Sequence, residues 1–274
     1  MTVISTIITR RYTAHASDSL ITPFGDHEKE DREWQKTKII PVRHWRGAMS
    51  YWGLATTDQG WNTVTWLRER AHNTRHFESE ESFARALTKD LTQEIENIRF
   101  SEPRHSGLGI HLTVYERVKD YWVPELFKVS NWTDNSYTAV FPDGFKLERV
   151  TFRTLADPPM DEQPEHGEPM YRLEVHRQLQ AGLILTYNNG DPVLFNQPAG
   201  ALSNMIRTLV ARGVLKDLQT PQAVCALARR PIEVVMAVQR DFCSSEDVRV
   251  GGRPHDLAIT PEGEYWSGTG DDKE

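Results

Sequence analysis

Apolar and polar positions alternate along this chain in two distinct rhythms. Residues 3–9 are dense in Val, Ile and Thr, a composition that suits a strand. Arg10 and Arg11 suit a bend, and Tyr12–Ser17 then forms a second predicted strand. Short apolar runs at Lys38–Val42 and Ala48–Tyr51 flank a turn at His44–Arg46, and the polar stretch 22–35 that precedes both is a predicted loop. The rhythm then changes to three- and four-residue steps. A first helix starts at Trp61 and reaches about Ala71; a stronger one covers Glu81 to Ile98, with Phe83, Leu87, Leu91, Ile95 and Ile98 on one face. Strand patterns return at Gly109–Tyr115 and Leu126–Val129.

The second half follows the same grammar. Residues 131–178 are the least regular and are expected to be an insertion, with an exposed Pro- and acid-rich loop at Asp157–Pro169. Flanking runs near Ala139, at Val150–Phe152 and at Tyr171–Val175 suit hairpin strands. A hairpin is predicted from Leu183–Tyr187 through the turn signal Asn188–Asp191 to Val193–Phe195. A helix over Leu202–Val210 stops at Gly213. The next opens at Thr220-Pro221, an N-cap followed by proline at the first helical position, and is expected to break or kink at Pro231. A last strand, Asp256–Thr260, leads through a turn at Pro261–Gly263 into a polar tail.

Strands in blocks, two helices, strands, two helices and a final strand imply an α+β fold of antiparallel sheets covered by helices. The expected organisation is one domain over 1–262, with insertion 131–178, followed by tail 263–274. At 274 residues, with 38% hydrophobic and 26% charged residues, the chain has the composition of a globular protein. A net charge of -7 speaks against general nucleic-acid binding, which needs a basic face. The apolar runs are too short to span a bilayer, and the N-terminal stretch lacks a basic leader. Cys225 and Cys243 make neither a disulfide framework nor a metal spacing, so a reducing, cytoplasmic setting is expected. His72 and His76, at i and i+4, lack a third ligand and suit a solvated pair better than a metal site.

Candidate chemistry gathers at the N-terminus. A terminal threonine supplies both a hydroxyl nucleophile and, in its own α-amine, a base. Thr2 takes that place once Met1 is removed, and a small residue after the initiator permits the removal. Asp18 stands sixteen residues after Thr2, in the phrase HASDSLIT at the end of the second strand. Lys38 opens the third strand, with Lys36 as a competitor, and Gly53 sits in the run Ser50-Tyr-Trp-Gly-Leu-Ala-Thr-Thr57. Arg240-Asp-Phe-Cys-Ser244 and Val250-Gly-Gly-Arg-Pro-His-Asp-Leu257 follow near the C-terminus.

In this order and spacing the sequence resembles the proteasome β-type, HslV and Anbu group of N-terminal-nucleophile hydrolases. The likeness covers residues 2–130 and 179–262. It implies an αββα sandwich of two antiparallel sheets flanked by helices, and a threonine peptidase acting on polypeptides or peptides. It further implies Thr2 as nucleophile, Asp18 and Lys38 as its electrostatic tuners, and the Gly53 N–H as an oxyanion donor. Asp241 and Ser244 would brace the terminus. Trp52, beside Gly53, either narrows the substrate cleft or packs in the core. One family element differs: Ala199, in Gln197-Pro-Ala-Gly200, stands where the resemblance implies a serine in a turn before the third helix. No metal or organic cofactor is implied. A homo-oligomeric ring or spiral is, and a possible ATPase unfoldase stays open. Two alternatives remain: a catalytically inactive assembly or binding subunit, and an amidase or acyltransferase on the same fold.

Overall fold

The computed structural model describes residues 3–19, 39–118, 120–134, 137–150, 168–189, 195, 197–215, 218–243 and 250–268. The loop expected at 22–35, Thr2, Lys36, Lys38 and Ser244 lie outside these residues.

Among the described residues, ten strands form two five-stranded sheets. The first contains β1 (Ile4–Ile8), β2 (Thr13–Ser17), β8 (Leu185–Asn189), β9 (His255–Ile259) and β10 (Tyr265–Ser267), in the order β10-β9-β2-β1-β8. The second contains β3 (Ile39–Val42), β4 (Gly47–Gly53), β5 (Leu108–Val118), β6 (Tyr121–Ser130) and β7 (Lys146–Arg149), in sequence order. Every neighbouring pair is antiparallel.

Alternation along the strands assigns each face a partner. Met49 and Tyr51 of β4, with Ile110, Leu112 and Val114 of β5, pack under the helices α1 (Thr63–His72) and α2 (Glu80–Glu96) through Leu67, Phe83, Leu87 and Leu91. Asn62 caps α1 by accepting the Thr65 N–H (2.9 Å), and Ser79 caps α2 through a reciprocal bond with Ser82. On the other sheet, Ile7, Ala14, Ala16 and Ala258 pack under α5 (Pro221–Phe242) and Ala199 of α4 (Gln197–Ala211). The small alanines let α5 lie close to the strands.

The inner faces of the two sheets meet through a layer that is unusually polar. Thr13 donates to the Tyr115 hydroxyl (2.9 Å), and the buried His15 ring bridges Ser50 Oγ (3.0 Å) and Thr113 Oγ1 (2.5 Å). Farther along, Asn189 lies against His111 Nε2 (3.4 Å). These contacts align the two sheets, so that Ser17 and Asp18 share an end of the sandwich with Gly53, Leu108 and Ser130. No helix among the described residues is long and apolar enough to cross a membrane.

Four expectations are corrected. Tyr171–Val175 is not a strand: it lies in α3 (Glu168–Gln180), where Val175 and Leu179, one turn apart, pack on Val123, Leu126 and Leu185. Asn188 and Asn189 do not turn the chain but complete β8, paired with Ser5 and Ile4 of β1; Val193 lies outside the described residues, and Phe195 is core rather than strand. Pro231 does not break α5, which runs unbroken through it. Ala228, Ile232 and Val235 around it are buried, and that packing offsets the roughly 3 kcal/mol an interior proline costs. The tail begins with a strand, since β10 pairs Tyr265 with Ile259.

Candidate active site

Asp18 follows β2 and is fully buried. Its Oδ1 accepts the Val3 N–H (2.9 Å) and its Oδ2 the Gly251 N–H (3.4 Å). The neighbouring residue repeats the stitch: Ser19 N–H donates to the Gly251 carbonyl (3.3 Å), and Ser19 Oγ accepts the Arg253 N–H (2.7 Å). One carboxylate thus ties the start of β1 to the segment that enters β9. Carboxylates accepting backbone N–H bonds are among the stronger hydrogen-bonded groups in proteins. The charge also reaches the second sheet, because burial first and Asp18 second raise the Tyr51 phenol above its ordinary range.

Gly53 ends β4 with φ +92, a conformation that side-chain-bearing residues rarely adopt, and a β-carbon there would overlap the Gly107 carbonyl. Its N–H has a definite direction. Leu54 donates to the Gly107 carbonyl (2.8 Å), while the Leu108 N–H is taken by Asn131 Oδ1 (2.9 Å) on the β6 side. Hydrogen-bonded and non-hydrogen-bonded pairs alternate along an antiparallel ladder. The Gly53–Leu108 pair is therefore of the second kind, and the Gly53 N–H points away from β5. That direction is the β3 side of β4, where the described residues begin at Ile39, opposite Ser50.

Trp52 resolves in favour of packing: it is 2% exposed, its indole covers Gly109 where a β-carbon would overlap it, and it meets the His111 ring edge-on at 4.9 Å. Asp241 sits near the end of α5 with a half-exposed side chain, bonded to Arg240 Nε (2.8 Å), and that guanidinium lowers its pKa. No hydrogen bond or ion pair among the described residues joins it to Asp18 or Val3. Ala199 is not in a turn: it lies in the first turn of α4, 1% exposed, in one cluster with Val3 and Phe195. Among the described residues no group of three or more His, Cys, Asp or Glu side chains could hold a metal. A groove between α2 and β7 is lined by Lys89, Phe145 and Lys146 and includes none of the site residues.

Three contributors were missed. Gln239, 1% exposed, accepts the Val250 N–H (3.1 Å) through Oε1, and so links α5 to the segment that holds Asp18. Its signal was present: Gln239 continues the buried Ala228, Ile232, Val235 face at helical spacing, a polar residue at a core position. Asn189 and Tyr137 had no local signal. The Tyr137 hydroxyl donates to Asn189 Oδ1, the Asn189 amide faces His111 Nε2, and Asn189 pairs with Ile4. Burial, then the His15 and Lys128 charges, hold the His111 pKa well below the ordinary histidine range, consistent with a neutral ring accepting from the amide.

No protein-family model matches the chain, and no curated protein matches it significantly. Two solved structures align over most of their length. The chain is similar to Thiobacillus denitrificans BPH in complex with epoxomicin at 14% identity and TM-score 0.48, covering 94% of this chain and 98% of that one. It is similar to Thiobacillus denitrificans BPH at 12% identity and TM-score 0.46, covering 94% and 97%. With TM-scores under 0.5, these likenesses assign neither family nor activity.

The α5 contacts distinguish two neighbouring polar residues. Gln239→Ala is expected to leave the buried Val250 N–H without its acceptor, lowering urea-unfolding stability by about 1–3 kcal/mol. Asp241→Ala, which among the described residues breaks an exposed pair with Arg240, should leave the unfolding midpoint where it is.

Proposed function

We propose that the chain is an N-terminal-nucleophile hydrolase of the proteasome type, a threonine peptidase with Thr2 as nucleophile after removal of Met1. The observation that carries this reading is the buried Asp18 carboxylate on the Val3 N–H, one residue beyond Thr2. The Thr2 hydroxyl would attack the substrate carbonyl, its proton passing to the Thr2 α-amine. The oxygen that becomes negative would face the Gly53 N–H. Collapse breaks the C–N bond, the α-amine returns the proton to the leaving amine, and water hydrolyses the Thr2 ester. Lys38 would supply the positive field that favours the ionised hydroxyl, with Asp18 pairing with Lys38 to keep it charged and in place, and Ser244 and Asp241 would brace the terminus. Peptides or polypeptides are the proposed substrates, and a ring or spiral of identical chains the proposed assembly.

A second reading has specific support. The exposed Asp241–Arg240 pair and the core position of Ala199 favour a non-catalytic subunit of such an assembly, in which Asp18 serves only to anchor the chain.

Intact-mass measurement of the purified protein, before and after incubation with a peptide epoxyketone, separates the two. Loss of Met1 followed by addition of one probe mass in wild type, abolished in Thr2→Ala, is the expected result. Retained Met1, or labelling that survives Thr2→Ala, defeats the catalytic reading. Cleavage of small amides without cleavage of peptides would point to an amidase instead.

A further inference from the structure

We infer that Tyr137 is the specificity-determining residue of this site, forming the substrate-side wall on the flank of β1 opposite Asp18; the inference rests on the threonine-peptidase reading. Its basis is the placement of the segment between β6 and β7. In its sheet β1 has two neighbours, β2, which leads into Asp18, and β8, which ends in Asn189. Asp18 therefore occupies one side of the start of β1, and the Tyr137–Asn189 contact the other.

The segment spans the end of the sandwich from one sheet to the other. Its root is fixed beside Gly53: Asn131 holds the Leu108 N–H and the Ser106 carbonyl, and the Trp132 indole covers Gly107, the residue whose carbonyl receives the Leu54 N–H. Trp132 and Val140 form a bridge, and the Thr133 N–H donates to the Ala139 carbonyl (3.0 Å). The far side of the segment reaches the first sheet, where the Tyr137 hydroxyl meets Asn189 and, through it, His111. Tyr137 adopts φ +56, a backbone state strained for a residue with a side chain. Such outliers persist where surrounding structure imposes them, and they concentrate at ligand-handling sites. The ring also stands edge-on to Trp132 at 5.3 Å, so the strap presents an aromatic surface beside the start of β1.

A ring standing across that end restricts the size of the substrate side chain next to the reacting carbonyl. The wild-type site would then take peptides with a small residue there and reject bulky ones.

The test uses the full chain and three peptide epoxyketones differing only in the reactive residue: Ala, Leu or Phe. Labelling rates are read by intact mass in wild type, Tyr137→Gly and Tyr137→Phe. Glycine is at ease at φ +56, so Tyr137→Gly removes the ring without straining the fold. The expected result is a wild-type preference for the Ala probe and a shift of the Phe/Ala rate ratio by roughly tenfold or more toward Phe in Tyr137→Gly. Tyr137→Phe keeps the ring, so the ratio should hold while both rates fall. A merely structural role would change all three rates alike in Tyr137→Gly, and that outcome overturns the inference while the Thr2 reading stands. Absence of labelling in wild type overturns both together.

Discussion

Asp18→Asn should abolish rapid epoxyketone labelling while leaving a folded protein, and Asp18→Ala should destabilise the fold itself. The two substitutions separate the charge of this group from its role as an acceptor. Asparagine keeps the shape and one carbonyl oxygen but loses the charge and places an amide N–H₂ where the carboxylate accepted from Val3 or Gly251. With the proposed partner that keeps Lys38 charged and in place removed, the labelling rate is expected to fall by roughly two orders of magnitude. Alanine leaves two N–H groups of buried residues, Val3 and Gly251, without this acceptor. At about 1–3 kcal/mol for each unmet buried donor, the loss amounts to about 2–6 kcal/mol in urea unfolding. Equal labelling rates in Asp18→Asn and wild type would reduce the carboxylate to an anchor with no part in tuning the nucleophile.

Mild acid should destabilise this protein through its inter-sheet histidines. His15 lies fully buried between Ser50 and Thr113, and burial pushes its pKa from 6.5 down to about 3. Above pH 6.5 the ring is neutral in both folded and unfolded chains and stability does not depend on it. Between pH 6.5 and about 3 the unfolded chain binds a proton that the native chain refuses, so stability falls as pH falls. The slope is about 1.4 kcal/mol per pH unit, for a total on the order of 5 kcal/mol at the acid limit. His111, displaced in the same direction, adds to the slope. Urea unfolding at pH 7.5, 6, 5 and 4 measures it. His15→Gln, which cannot charge, should flatten the dependence by about one proton. An unchanged slope in that variant would show that His15 titrates normally, and hence that the inter-sheet layer is open to water.

Much of the frame was legible in the chain. The α2 stripe Phe83, Leu87, Leu91 and Ile95 and the strand composition of 3–9 are local signals. Local signals survive into the fold because each element buries the face its own period marks out. The Thr220-Pro221 start of α5 held for the same reason: its cap is a bond between neighbours, Thr220 Oγ1 and the Ala223 N–H. Errors came where a short stretch was compatible with two periods. Tyr171–Val175 alternates like a strand, yet Val175 and Leu179 are also one helical turn apart, and the surface offered by β6 and β8 decided between them. Asn188 and Asn189 carry turn chemistry, but pairing with β1 kept them extended.

The site divides along the same line. Taken alone, the sequence determined the types and order of residues: a threonine at position 2, an aspartate at the end of the second strand, a glycine closing β4 and a glycine pair before β9. A strand end and a fixed spacing are properties of the chain, and they are visible in it. Only the tertiary structure decided that Asp18 reaches Val3 and Gly251, that Gln239 rather than Asp241 ties α5 to that segment, and that Tyr137 crosses to Asn189. Those contacts join residues far apart in sequence, and which donor meets which acceptor is set by how two sheets and a helix stack. No local periodicity encodes that stacking.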